Sequence, residues 1–250
     1  MTDRRVKISP LVYARIAGVL YLINIAYGLF GELFVRARLV VPGDAAATAH
    51  RIMASESLFR FGIAGDLIMH ITDVPMAVIF YVLLRPVSRD LSLLSALFGM
   101  LQTAILCANK LNLVTVLLLL GGTSYLKVVD PGQLQALASL SLAQHESGFG
   151  IGLIFFGVSC LVTGYLMFRS GYFPKTLGVL QGIAGACYLI NSFAQLLSPS
   201  LADKLFPAIL VPAFIGELST CVWLLVKGLD TAKWDERVRM GQIFEGPADN

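Results

Sequence analysis

Leu58 to Leu84 reads LFRFGIAGDLIMHITDVPMAVIFYVLL, an apolar run interrupted by Asp66, His70 and Asp73. At 3.6 residues per turn, the i, i+4 and i+7 spacing holds these side chains within about 60° of one another, over roughly 10 Å of one helical face. A run of this length predicts a membrane-crossing helix, because about 20 apolar residues cover a hydrocarbon core of about 30 Å. Ionisable groups inside a span are costly, so the stripe must face protein, water or a bound ion rather than lipid.

The rest of the chain agrees with that class. Hydrophobic residues make up 56% of the 250 and charged residues only 14%, against about 25% charged in soluble domains. Mean hydropathy is +0.75. The expected fold is all-α, a polytopic membrane bundle of about six helices. The spans are placed at Leu11 to Phe34, Leu58 to Leu84, Ser92 to Leu120, Leu137 to Phe168, Thr176 to Leu197 and Pro207 to Val226. This gives a transmembrane domain over 11–227, a short N-terminal segment 1–10 and a polar tail 228–250, read as a solvated and partly ordered terminus.

Lys and Arg set the expected orientation. Twelve lie in segments on the side of the termini (Arg4, Arg5, Lys7, Arg15, Arg85, Arg89, Arg169, Lys175, Lys227, Lys233, Arg237, Arg239) and six on the other (Arg36, Arg38, Arg51, Arg60, Lys127, Lys204). Both termini are therefore expected in the cytoplasm. Met1 to Ser9 carries signal-like charge, but the apolar run behind it is span-length and lacks a small-residue cleavage site, so an uncleaved first helix is expected. On the outer side, Pro42-Gly43-Asp44 followed by helix formers predicts an amphipathic surface helix over about 44–57 with Asp44 as N-cap. Asp130-Pro131 predicts that the fourth helix begins before the membrane.

Ile16-Ala17-Gly18 and Tyr21-Leu22-Ile23-Asn24 recur as Ile183-Ala184-Gly185 and Tyr188-Leu189-Ile190-Asn191. The constant offset suggests a duplicated hairpin, the first and second helices corresponding to the fifth and sixth. Cys107, Cys160, Cys187 and Cys221 all fall within spans and read as small buried side chains rather than disulfide or metal partners.

Polar residues on several helices lie at similar depth. Counted from the outer ends, Asp66 to Asp73, Lys110, His145, Glu146, Asn191 and Glu217 are on the order of 10 to 20 Å inside. An inward-facing arrangement would gather them around one cavity, with Glu32 at its mouth. The chemistry favoured is binding or movement of a small solute or ion linked to protons, with Asp66, Asp73 and Glu217 as carriers, Lys110 as counter-charge and His145 as a switchable partner. A different class is a zinc-dependent intramembrane hydrolase acting on a lipid, with Asp66, His70, Asp73 and His145 as ligands and Glu146 or Glu217 as general base. Intramembrane hydrolases such as the adiponectin receptors and alkaline ceramidases are similar in residue types only. Haem on His70 and His145 has less to favour it. The third class is a noncatalytic subunit whose polar residues lock the bundle. An enzyme is not the favoured reading. The expected partners are the lipid bilayer and a small solute, ion or lipid. A homo-oligomer is left open, and no basic patch interleaved with aromatics points to nucleic acid.

Ala14 to Ile23 (ARIAGVLYLI), Val41 to Ala49 (VPGDAAATA), Ala54 to Arg60 (ASESLFR), Phe168 to Leu180 (FRSGYFPKTLGVL) and Ala213 to Gly228 (AFIGELSTCVWLLVKG) resemble an uncharacterised family of bacterial multi-pass membrane proteins, known as a domain of unknown function. The resemblance runs from about Val12 to Leu229. It implies a multi-pass protein of the inner (plasma) membrane and supplies no activity. It also implies family counterparts of Asp66, Asp73, His145 and Glu217, but not of His70.

Overall fold

A computed structural model describes residues 9–244; the charged start through Ile8, with Arg4, Arg5 and Lys7, and the last six residues lie outside the described residues. Every regular element among the described residues is helical. The long helices are α1 (Pro10–Leu39), α3 (Glu56–Leu84), α4 (Arg89–Leu120), α5 (Pro131–Ser170) and α6 (Lys175–Leu197), each long and apolar enough to cross a membrane. Two shorter helices, α7 (Pro199–Leu205) and α8 (Leu210–Val226), are bent by 56° to one another and together have the length and apolarity of a sixth, broken span. Between α1 and α3 lies α2 (Ala45–Ala54), and α9 (Thr231–Phe244) follows the last span.

Local chemistry explains the boundaries. Ser9 caps α1, with Pro10 in the first turn. Asp44 accepts a hydrogen bond from the Ala47 amide at 2.8 Å and starts α2. Asp130 accepts from the Gly132 and Gln133 amides and starts α5, again with Pro in the first turn. These side chains satisfy amides that have no partner within the helix. At the other end of α5, Gly171 turns the chain with φ +78°, a left-handed conformation open to glycine at little steric cost.

The six spans close into a ring. Each packs on the next in the order α1, α3, α4, α5, α6, α8, and α8 returns to α1. Small residues allow the closest approach, between α5 and α6. A Cβ on Gly164 would lie 2.6 Å from the Gly178 carbonyl oxygen, and one on Gly157 would lie 2.9 Å from the Gly185 carbonyl oxygen. Helices in lipid associate largely through such packing and through polar contacts, because their surroundings are as apolar as their side chains. Phe61, Ile71 and Leu111 are each at least two-thirds exposed on the outside of the ring.

Apolar clusters seal both ends. Leu83, Leu84, Leu166, Met167, Tyr172, Phe173 and Leu224 pack at the end bearing the termini. Val35, Ile52, Phe59, Leu113 and Val116 pack at the far end, where Ile52 anchors α2. Polar side chains occupy the space between.

The structure departs from the sequence reading in its first span. The first span runs on to Leu39, widening to π-helical geometry over Phe30–Arg36, which turns Arg36 from a loop residue into an interior one. The polar tail, expected to be partly ordered, is helical over most of its described part. It forms α9, started by Asp230, which accepts from the Lys233 amide at 3.2 Å, and held by Trp234, whose indole N–H donates to the Leu83 carbonyl at 3.0 Å.

Candidate functional site within the helix ring

The polar residues form several networks rather than a single shared cluster. The first is an ion chain entering from the far end. Glu32 is exposed and accepts from Arg36 Nε at 2.8 Å. Arg36 Nη1 reaches Asp66 Oδ2 at 3.0 Å, and Lys110 Nζ reaches the same oxygen at 2.8 Å. Asp66 is 1% exposed and Lys110 3%. Two acids and two bases are thus matched, and removing Asp66 or Lys110 from the buried part of the chain leaves an opposite charge uncompensated in a low-dielectric interior. Gly31 provides the room, since a Cβ there would lie 2.7 Å from Asp66 Oδ1.

The second network is centred on Asp73. Its Oδ1 accepts from the Asn24 amide at 2.7 Å, and its Oδ2 accepts from His70 Nδ1 at 3.2 Å and from the Thr103 hydroxyl at 3.4 Å. Thr72 donates in turn to the Asn24 carbonyl oxygen at 2.6 Å. Neither Lys nor Arg touches Asp73 among the described residues. A proton on Nδ1 makes the His70 bond, and the Nε2 of the same ring is buried without a protein partner. Asp66, His70 and Asp73 share one face of α3, as the spacing requires, yet belong to two networks with different charge balance.

Asp73 also borders a narrow cleft with about 70 Å³ of space for water-sized occupants. From Leu84 and Ser92 near the α3–α4 turn, the cleft reaches Gln102 and Thr103 on α4 and Gln181 on α6. Its wall includes a hydroxyl cluster in which Ser95 lies 2.7 Å from Thr163.

Other expected site residues lie elsewhere. His145 is paired with Asn109, whose amide donates to the ring Nδ1 at 3.1 Å and to the His145 carbonyl at 2.8 Å. Glu217 accepts from the Tyr188 hydroxyl at 2.7 Å. Asn191 is buried, with its carbonyl oxygen unpartnered. Glu146, although next to His145 in sequence, lines a separate far-end pocket with Ser192 and Asp203. Among the described residues no three His, Cys, Asp or Glu side chains are grouped as metal ligands. His70 and His145 sit in different networks, so the zinc and haem expectations acquire no ligand set.

Sequence reasoning missed Arg36, Thr72, Thr103, Tyr188 and Asp203 as members of these networks. Glu32 and Arg36 were open to detection, because their i, i+4 spacing supports a helix that continues past Phe34. The hydroxyls carry no such pattern.

No solved structure matches the chain. An uncharacterised protein of Archaeoglobus fulgidus is 31% identical over 168 residues, covering 67% of this chain and 84% of its own length. The family model described as a domain of unknown function (DUF4386) matches residues 16–228, from the second turn of α1 to the end of the last span. The chain therefore belongs to the DUF4386 family of unknown function.

Proposed function

We propose that this membrane protein binds a small polar solute or ion in the cleft beside Asp73 and moves it in step with a proton carried by that carboxylate. The contrast between the two acids of α3 carries this reading. Asp66 is held by Arg36 and Lys110, whereas Asp73 meets an amide, a hydroxyl and an imidazole and stands at a cleft wall. A carboxylate without a fixed cation can take up a proton or a cationic group without stranding a partner, and such acids inside spans are the usual material of proton relays. His70 suits the exchange because its ring can rebalance donors and acceptors as Asp73 changes state. With the termini cytoplasmic, as the Lys and Arg distribution favours, the cleft occupies the cytoplasmic half of a plasma-membrane protein.

The test is reconstitution of the full chain in liposomes holding a pH-sensitive dye, challenged with amino acids, amines, organic acids and sugars. One solute class should drive a pH change that Asp73→Asn abolishes. The variant should retain its fold, since an amide at position 73 can still bond Asn24 and His70. The absence of any solute-driven change, or an equal change in the variant, would contradict the proposal.

A further inference from the structure

We infer that the far-end pocket between α5, α6 and α7 is a binding site for an organic ammonium ion, independent of the cleft at Asp73. Glu146 on α5 and Asp203 on α7 place two carboxylates on its walls, beside Ser192 and Gln195 of α6 and the ring of Phe206. Neither carboxylate makes an ion pair among the described residues, and Lys204, although next to Asp203 in sequence, is not part of the lining.

Acidic side chains alone do not make a site, but Ser192 adds an observation of a different kind. Its residue is fully buried and lines the pocket, yet its hydroxyl has no partner. Other helical hydroxyls here satisfy themselves on the preceding turn: Thr115 donates to the Leu111 carbonyl, Ser147 to Ala143 and Thr220 to Gly216. A buried hydroxyl without a bond carries a desolvation cost, which a polar ligand in the pocket would relieve. Gly150 contributes space, because a Cβ there would collide with Gln195 Oε1.

The ligand class follows from size and lining. The pocket offers about 320 Å³ of space to a small occupant, at the lower end of the range of small-molecule sites, roughly 300–1,000 Å³. A bare divalent cation needs six or more oxygens at about 2.0–2.6 Å, and no metal-ligand group exists among the described residues. An ammonium on a short carbon chain matches better. Its charge meets Glu146 and Asp203, its N–H groups meet Ser192 and Gln195, and its chain meets Leu196 and Phe206, whose ring face also attracts cations.

The test is titration of the detergent-purified full chain with n-butylammonium chloride by calorimetry, with n-butanol and sodium chloride as comparators. Saturable binding of the amine alone is expected. Weakening should be at least about tenfold in the Glu146→Gln, Asp203→Asn double variant and roughly three- to tenfold in Ser192→Ala. Both acids are exposed and unpaired, so their amides should leave folding intact, and Ser192→Ala tests the site without changing its charge. Asp73→Asn should bind the amine as the unaltered chain does, which separates this inference from the transport reading. Displacement by short-chain phosphatidylethanolamine would identify a lipid headgroup as the source of the ammonium, and its failure to displace would identify a free amine. No saturable binding, equal binding of n-butanol, or undiminished binding in the double variant would overturn the inference.

Discussion

A buried charge is stable only in company, and the sharpest residue-level prediction concerns Asp66. Asp66→Ala leaves Arg36 and Lys110 facing each other without their shared oxygen. The expected loss is roughly 3–5 kcal/mol, the usual effect of breaking a buried pair from one side. By contrast Glu56→Ala, which removes the exposed partner of Arg60, should cost no more than about 1 kcal/mol. Thermal melting of the three proteins in one detergent checks the ranking, and equal melting temperatures would contradict the ion chain. Asp66, His70, Asp73 and Lys110 were all legible in the sequence, because charge within an apolar run has to be explained. Their assignment to separate networks was not. It depends on Arg36 and Asn24, whose roles are set by the length of α1 and by its contact with α3, and neither follows from the α3 sequence.

Among the elements, the α5–α6 contact offers a paired test on small residues. Gly164→Ala would drive a Cβ into the backbone of Gly178 and Gly182, whereas Gly182→Ala meets nothing within 4 Å. Overpacking of this kind costs typically about 1–3 kcal/mol. Only Gly164→Ala should therefore lower the melting temperature, and equal effects would contradict the close approach. The helix starts at Asp44 and Asp130 were readable because cap chemistry is local. The tail was expected to be partly ordered, but what holds α9 was not legible, because Trp234 is anchored to Leu83, 151 positions earlier in the chain.

Asp230 makes the start of α9 sensitive to acid. The Lys233 amide and then its ammonium hold the Asp230 carboxyl below the usual carboxylate range. Its folded-state value is depressed, so its support is present above the unfolded value, about 3.9, and is lost as pH falls through the lower folded value. Helix α9 should loosen only in that acid window, seen as a change in Trp234 fluorescence in a Trp223→Phe background. Asp230→Asn should remove the pH dependence, and an identical transition in that variant would contradict the assignment.

For the molecule as a whole, the apolar helices were legible, five singly and the sixth as a bent pair, because lipid imposes length and apolarity on each span, whereas the extension of the first to Leu39 was not. The closed ring was not, since the return of α8 to α1 joins segments about 200 residues apart. That closure places the Asp73 cleft toward the end bearing the termini and the Glu146–Asp203 pocket at the other. The central claim is that Asp73 exchanges its proton while Asp66 stays ionised in its pairs, and a hydrophobic carbodiimide reads this directly. The reagent takes up the proton of a carboxylic acid on nitrogen as the carboxyl oxygen bonds to its central carbon, so a carboxylate locked by cations does not react. Peptide mass spectrometry of the labelled protein in liposomes should find the adduct on Asp73, increasing as pH is lowered, with Asp66 unmodified. An adduct on Asp66 at comparable yield, or none on Asp73 at any pH at which the protein stays folded, would contradict the account.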